Sequence, residues 1–265
     1  MIRLIALLFA LLLPVASTAG SYDNIVRAEL RPGWRLPNGD HMAALHLTLA
    51  PGWKTYWRAP GDAGIPPTFD WRGARNVQAI QVEWPAPQVF WKSGMRSVGY
   101  EGEMVLPLRI SLRNDAKDNR LKGVIDIGIC KDVCLPHRVR VETVLDAGTR
   151  KPDPVIAAAL ASLPFGPEDA EVTKVACKIS AAPSGMGLRV EISMPQGTGR
   201  EETVIESKDP EIWITEPKTS WQGGTLIAEA RVSHMSSQVF ALDRSGLRIT
   251  VLGGEIPLDI HGCTG

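Results

Sequence analysis

Apolar and polar residues alternate along this chain in short runs, each cut off by a turn. Leu45, Leu47 and Leu49 fall on one face, the period-two pattern of a half-buried strand, and Pro51-Gly52 closes the run. The pattern returns with Leu106, Leu108 and Ile110, and again with Ile125, Ile127 and Ile129. It recurs with Val139 and Val141 inward against Arg138, Arg140 and Glu142 outward. Pro107 has no N–H to donate, which predicts an edge position for its strand. Pro37-Asn38-Gly39, Pro60-Gly61-Asp62 and Pro66-Pro67 supply the turns. Short strands in this arrangement predict a β-sandwich.

A polar stretch at 148–152 interrupts the alternation. Asp153-Pro154 then offers a helix cap and a first-turn proline, followed by an Ala-rich run that Pro164 stops. Strand-like segments resume at 188–192, 203–206, 211–215, 225–232 and 247–252. The expected fold is all-β, two sandwich domains joined by a short helical linker. Their bounds are 20–147 and 169–265, with the linker at 148–168. Six of the eight tryptophans lie between Trp34 and Trp91, so the halves are not copies of one repeat. Residues 1–19 read as a signal peptide: Arg3, then ten apolar residues from Leu4 to Leu13, then Ser17-Thr18-Ala19. No later run approaches the 18 or so apolar residues a membrane span needs, so no membrane insertion is expected after cleavage.

Composition narrows the function. Lys+Arg and Asp+Glu both total 29 in 265 residues, leaving no basic surplus for nucleic acid. A hydrophobic content of 44% excludes a wholly disordered chain. Motifs for serine hydrolases, zinc proteases and phosphate loops are absent.

The four cysteines carry the candidate chemistry. Cys130 and Cys134 are separated by three residues, between one alternating strand and the next. To pair, the chain must turn between them, because four extended residues cover about 13 Å and a disulfide needs Cα atoms roughly 4.4–6.8 Å apart; a helical turn would also bring them together, but the alternating flanks favour a hairpin tip. Such a bridge closes little chain, and accessible short-loop bridges tend to exchange. A static hairpin staple is the other reading. Lys131 favours a thiolate here and Asp132 opposes it. Cys177 and Cys263 lie near the two ends of the second half, where a bridge would be a structural clasp. Four cysteines allow three pairings. Metal competes for the same atoms, since Cys130, Cys134 and His137 fall within eight residues; Met95 and Met104 could serve copper, but methionines more often fill cores. No fourth ligand at metal spacing completes that set, and no metal is assigned. His41 and His46 read as ordinary histidines flanking a strand.

Beyond the cysteines, a series of motifs follows in order: Pro51-Gly52-Trp53-Lys54-Thr55-Tyr56-Trp57-Arg58, Pro60-Gly61-Asp62-Ala63-Gly64-Ile65-Pro66-Pro67, Trp84-Pro85-Ala86-Pro87, Gly99-Tyr100-Glu101-Gly102-Glu103 and Cys130-Lys131-Asp132-Val133-Cys134-Leu135-Pro136. Together they resemble the N-terminal periplasmic domain of the thiol:disulfide interchange protein DsbD, and look like its ScsB (suppressor of copper sensitivity) branch. The motifs cover about 45–136. On weaker grounds the second half looks like the extra immunoglobulin-like domain of that branch.

The resemblance implies an immunoglobulin-like sandwich with a redox-active pair, Cys130 and Cys134. It implies thiol–disulfide exchange with periplasmic thioredoxin-fold proteins, electrons from a separate membrane donor, and no metal, flavin or nucleotide cofactor. It also implies an aromatic cap over the disulfide. By position this is the segment with Phe90, Trp91 and Met95, with Tyr56, Trp57 and Tyr100 as further lining. The chain departs from the family in its shorter cysteine spacing, and it contains no membrane helices and no thioredoxin-like Cys-x-x-Cys. A non-enzymatic binding module with static disulfides, presenting a surface to an envelope protein or to copper, is the rival reading.

Overall fold

The computed structural model describes residues 24–265 except 63, 115–117, 184 and 237. The expected leader at 1–19 lies outside the described residues. The first half consists of β1 (Val26–Arg35), β2 (His41–Leu49), β3 (Lys54–Tyr56), β4 (Thr68–Asp70), β5 (Val77–Val82), β6 (Gln88–Lys92), β7 (Met95–Glu101), β8 (Glu103–Leu112), β9 (Arg120–Cys130) and β10 (Cys134–Val144). They form two sheets, ordered β1-β2-β8-β5 and β10-β9-β3-β7-β6, with β4 also on β9. The alternating leucines and isoleucines read from the sequence meet between the sheets: Leu45, Leu47, Leu106, Leu108, Ile110, Ile125 and Ile129 are all buried.

One expectation is corrected. The strand holding Pro107 is internal, paired to β2 on one side and β5 on the other. Pro107 is tolerated because β5 ends at Val82, one pair short of it, and only its carbonyl is used, accepting from the Glu83 N–H at 2.9 Å. The missing donor therefore falls where the ladder has stopped.

The helix α1 (Pro154–Ala161) begins as the sequence indicates, with Asp153 Oδ1 accepting from the N–H groups of Val155 and Ile156 at 2.8 and 3.2 Å. It does not hang free as a linker. Ile156 packs with Trp34, Met42 and Ala44 on the outer face of β1 and β2, and Arg31 pairs with Asp153 at 2.8 Å. This explains why both faces of β2 are apolar.

The second half holds β11 (Lys174–Ala181), β12 (Met186–Ser193), β13 (Glu202–Ser207), β14 (Ile212–Ile214), β15 (Lys218–Gln222), β16 (Thr225–His234), β17 (Leu247–Leu252) and β18 (Leu258–His261). One sheet is β11-β12-β16-β14, with β15 also on β16, and the other is β13-β17-β18. Leu188, Val190, Ile249 and Ile260 are among the residues of a second core between them. The Cys177–Cys263 disulfide ties β11 to the segment after β18, with Cα atoms 5.7 Å apart. The halves touch through β13 and β17: Val204 and Leu252 enter the first core, and Arg58 grips Glu206 with two hydrogen bonds of 3.1 and 2.8 Å. Among the described residues, no helix is long and apolar enough to cross a membrane.

Candidate functional site

Cys130 ends β9 and Cys134 begins β10, directly opposite one another across a three-residue loop, with Cα atoms 4.1 Å apart and their sulfurs joined. Cys130 is 6% exposed, whereas Cys134 lies open to solvent. The bond thus has one shielded and one reachable end.

Strand alternation decides what surrounds it. Cys130 stands opposite Lys54 on β3, and Lys54 stands opposite Glu101 on β7. Side chains two residues apart share a face. Lys54, Tyr56, Gly128, Cys130 and Cys134 therefore line one surface, while Thr55, Ile129 and Tyr100 point the other way.

Tyr56 lies across Gly128. A Cβ at position 128 would fall 2.7 Å from Tyr56 Cδ2 and 2.7 Å from the Ile65 Cβ, so only glycine leaves room for the ring. The ring is buried, and its hydroxyl reaches to 3.1 Å from Cys134 Sγ. Burial raises the Tyr56 pKa, so the phenol stays protonated and can donate.

The β6–β7 hairpin completes the surroundings. It turns through Ser93 and Gly94, both with positive φ (52° and 78°), the geometry of a tight two-residue hairpin turn. In a flat sheet Ser97 would lie about 13 Å along the strand from the row of Lys54. Instead, the Lys54 ammonium donates to Ser97 Oγ at 2.9 Å and sits 4.8 Å above the Phe90 ring. Lys92 Nζ donates to the Lys131 carbonyl at 2.7 Å and to Asp132 Oδ1 at 3.0 Å, inside the cysteine loop. These contacts tie the hairpin to β3 and to the cysteine loop. Burial first, then the nearby Lys92 charge, lowers the Lys54 pKa. The Lys92 hydrogen bond holds the Asp132 carboxyl below its usual range.

The aromatic residues singled out in the sequence separate. Phe90 pairs with Ser97 and shares the disulfide face, and Tyr56 touches the sulfur. Trp91, 57% exposed, alternates onto the opposite face with Arg96. Met95 is exposed at the end of the hairpin. Trp57 is fully buried in the core under the Arg58 guanidinium, and the buried Tyr100 hydroxyl donates to the Pro85 carbonyl at 2.8 Å. His137 is an odd number of residues from Cys134 and so alternates away from the sulfurs. Among the described residues, no three His, Cys, Asp or Glu side chains cluster as a metal site. Lys54, Lys92 and Gly128 were not singled out by sequence reasoning. Only Gly128 left a signal there: a glycine inside a strand of isoleucines marks close approach.

Residues 26–146 match the family described as thiol:disulfide interchange protein DsbD, N-terminal. Among solved structures, the N-terminal periplasmic domain of ScsB from Proteus mirabilis has the same fold, with a TM-score of 0.66 and 23% identity. That likeness spans 91% of this chain and 92% of the other. No curated protein matches the sequence.

Proposed function

From the premise that the 26–146 region belongs to the DsbD N-terminal family, we propose that this chain passes electrons between protein thiols through a reversible Cys130–Cys134 disulfide. The observation that carries the reading is the asymmetry of the pair. Cys134 is open to solvent with a phenol at its sulfur, and Cys130 is shielded behind it.

In the reduced state the Cys134 thiolate attacks one sulfur of a partner's disulfide. A Cys134–partner bond forms, the partner's S–S bond breaks, and the released partner thiolate takes a proton. The Cys130 thiolate then attacks Cys134 Sγ. The intramolecular disulfide forms and the second partner thiolate leaves, taking the second proton. Two electrons have moved to the partner. A dithiol donor at the membrane reverses the sequence to recharge the pair. The partners are thioredoxin-fold proteins of the periplasm, and envelope stress such as copper exposure is the setting. The Phe90 hairpin shields the bond from stray thiols, and Cys177–Cys263 serves as a clasp that does not exchange. We divide the chain into a redox sandwich at 20–147, a docked linker at 148–168 and a second sandwich at 169–265.

A redox titration tests this. The mature protein is equilibrated across dithiothreitol and glutathione ratios, alkylated, and each cysteine is read by mass spectrometry. The reading expects a Cys130–Cys134 potential above roughly −300 mV, with Cys177–Cys263 resisting reduction. Equal resistance of both bonds would make the first a static staple and favour a binding module. Exchange with oxidised thioredoxin must also disappear in Cys130→Ser and Cys134→Ser chains.

A further inference from the structure

We propose that the second half of the chain sets how tightly the β6–β7 hairpin covers the Cys130–Cys134 disulfide, with Arg96 as the positioning residue. This rests on the reading of that disulfide as the exchanging pair.

The hairpin has two sides. Phe90 and Lys92 face the disulfide, and Arg96, opposite Trp91 across the strand pair, points away from it. The Arg96 side chain is only 2% exposed, and what buries it includes the second half. Its Nη2 donates to the Thr203 carbonyl at 2.8 Å. Its Nε lies 3.7 Å from Glu202 Oε2 and its Nη1 lies 3.9 Å from Glu216 Oε1. A buried guanidinium is costly to leave unpaired, so the turn end of the hairpin, where Arg96 sits, must follow β13.

β13 is itself fixed to the first half. Val204 enters the first core, and Glu206 takes the two hydrogen bonds from Arg58. Thr203 is locked from behind by Thr219, whose hydroxyl lies 2.8 Å from its own. Phe90 is one residue from Trp91, the cross-strand partner of Arg96, so displacement at Arg96 carries directly to the ring over the disulfide face. The space for such a displacement exists. A cavity of about 410 Å³, lined by Arg58, Pro60, Arg96, Glu206, Trp213 and Glu216, lies on the side of the strand pair away from the disulfide. Opening the cap thus means loosening the Arg96 tie, and the second half acts as a brace.

The test uses the whole mature chain carrying Arg96→Gln, Arg96→Lys, or Glu202→Gln with Glu216→Gln. The rate of Cys130–Cys134 reduction by dithiothreitol is followed by alkylation and mass spectrometry, with Cys177–Cys263 as the internal reference. Losing a hydrogen bond from a charged group predicts an acceleration on the order of tenfold in Arg96→Gln. Arg96→Lys keeps a donor for the Thr203 carbonyl and should recover most of the slow rate. The double carboxamide variant should accelerate reduction by a smaller factor. The reference disulfide should be unaffected in every variant. A folded Arg96→Gln chain reduced at the wild-type rate overturns the proposal, as does equal acceleration of both disulfides, which means general loosening. If Arg96→Gln does not fold, the double variant decides by the same two outcomes. Exchange of the unaltered chain with oxidised thioredoxin is measured alongside. Its absence sinks the redox reading, whereas the Arg96 effect on small-thiol access stands or falls separately.

Discussion

Tyr56→Phe removes one oxygen atom and leaves the ring in its slot over Gly128. That oxygen stands 3.1 Å from Cys134 Sγ. In the disulfide the sulfur is a weak acceptor, but in the reduced protein a Cys134 thiolate accepts a charge-assisted bond. Hydrogen bonds to charged groups contribute about 1.5–3 kcal/mol. Cys134 is open to water, which replaces part of the lost bond, so the low end applies: about one pKa unit. The bond favours the charged form, so its loss raises the thiol pKa. At pH values below that pKa the thiolate population falls about tenfold. A more basic thiolate is also a better nucleophile, by about threefold per unit, so the net loss in exchange rate is about three- to fourfold. Above both pKa values the order reverses, and Tyr56→Phe should exchange up to about threefold faster. The assay is the pH dependence of Cys134 alkylation in reduced protein, read by mass spectrometry, with exchange against oxidised thioredoxin in parallel. Superimposable pH profiles for Tyr56→Phe and the unaltered chain would refute the argument.

Gly128→Ala should push Tyr56 off the sulfur, since the new methyl would lie 2.7 Å from the ring. It should raise the Cys134 pKa as Tyr56→Phe does and cost about 1–3 kcal/mol in denaturant unfolding. Phe90→Ala should speed reduction of Cys130–Cys134 by small thiols and Trp91→Ala should not, because only Phe90 shares the disulfide face. Equal rates in the two variants would disprove the assignment of faces. The depressed Asp132 pKa means its tie to Lys92 is complete above the ordinary carboxylate range and is lost as pH falls through the lowered value. Reduction by a phosphine should therefore quicken at acid pH, and this acid limb should be missing in Asp132→Asn. Replacing Cys177 and Cys263 by serine opens a loop of 86 residues and should cost about 4–5 kcal/mol, against about 2 kcal/mol for the four-residue Cys130–Cys134 loop. Thermal unfolding of the two double mutants checks the order.

Much of the sandwich was legible in the sequence, because a strand buried on one face must alternate. The runs at Leu45–Leu49 and Ile125–Ile129 could hardly be anything else. The 247–252 run became β17 with both bounds unchanged. Short or irregular strands were not legible. β3 has three residues, and its Tyr56 and the adjoining Trp57 are both buried, so no period distinguishes them. Pro107 misled because the sequence records a missing donor but not where the neighbouring strand stops.

The candidate site divides in the same way. Local sequence favoured a hairpin tip for Cys130 and Cys134 over a helical turn, because the flanking segments alternate with period two, but it left three cysteine pairings open. It determined the cap of α1, because a cap uses only neighbours in the chain. Tertiary structure alone decided which sulfur is exposed, which phenol touches it, and which hairpin aromatic shares its face of the sheet. Tyr56 and Cys134 are 78 residues apart, and Arg96 and Thr203 are 107 apart. Such contacts depend on how sheets pair and bend, which is set by the packing of both cores at once and by no single stretch of the chain.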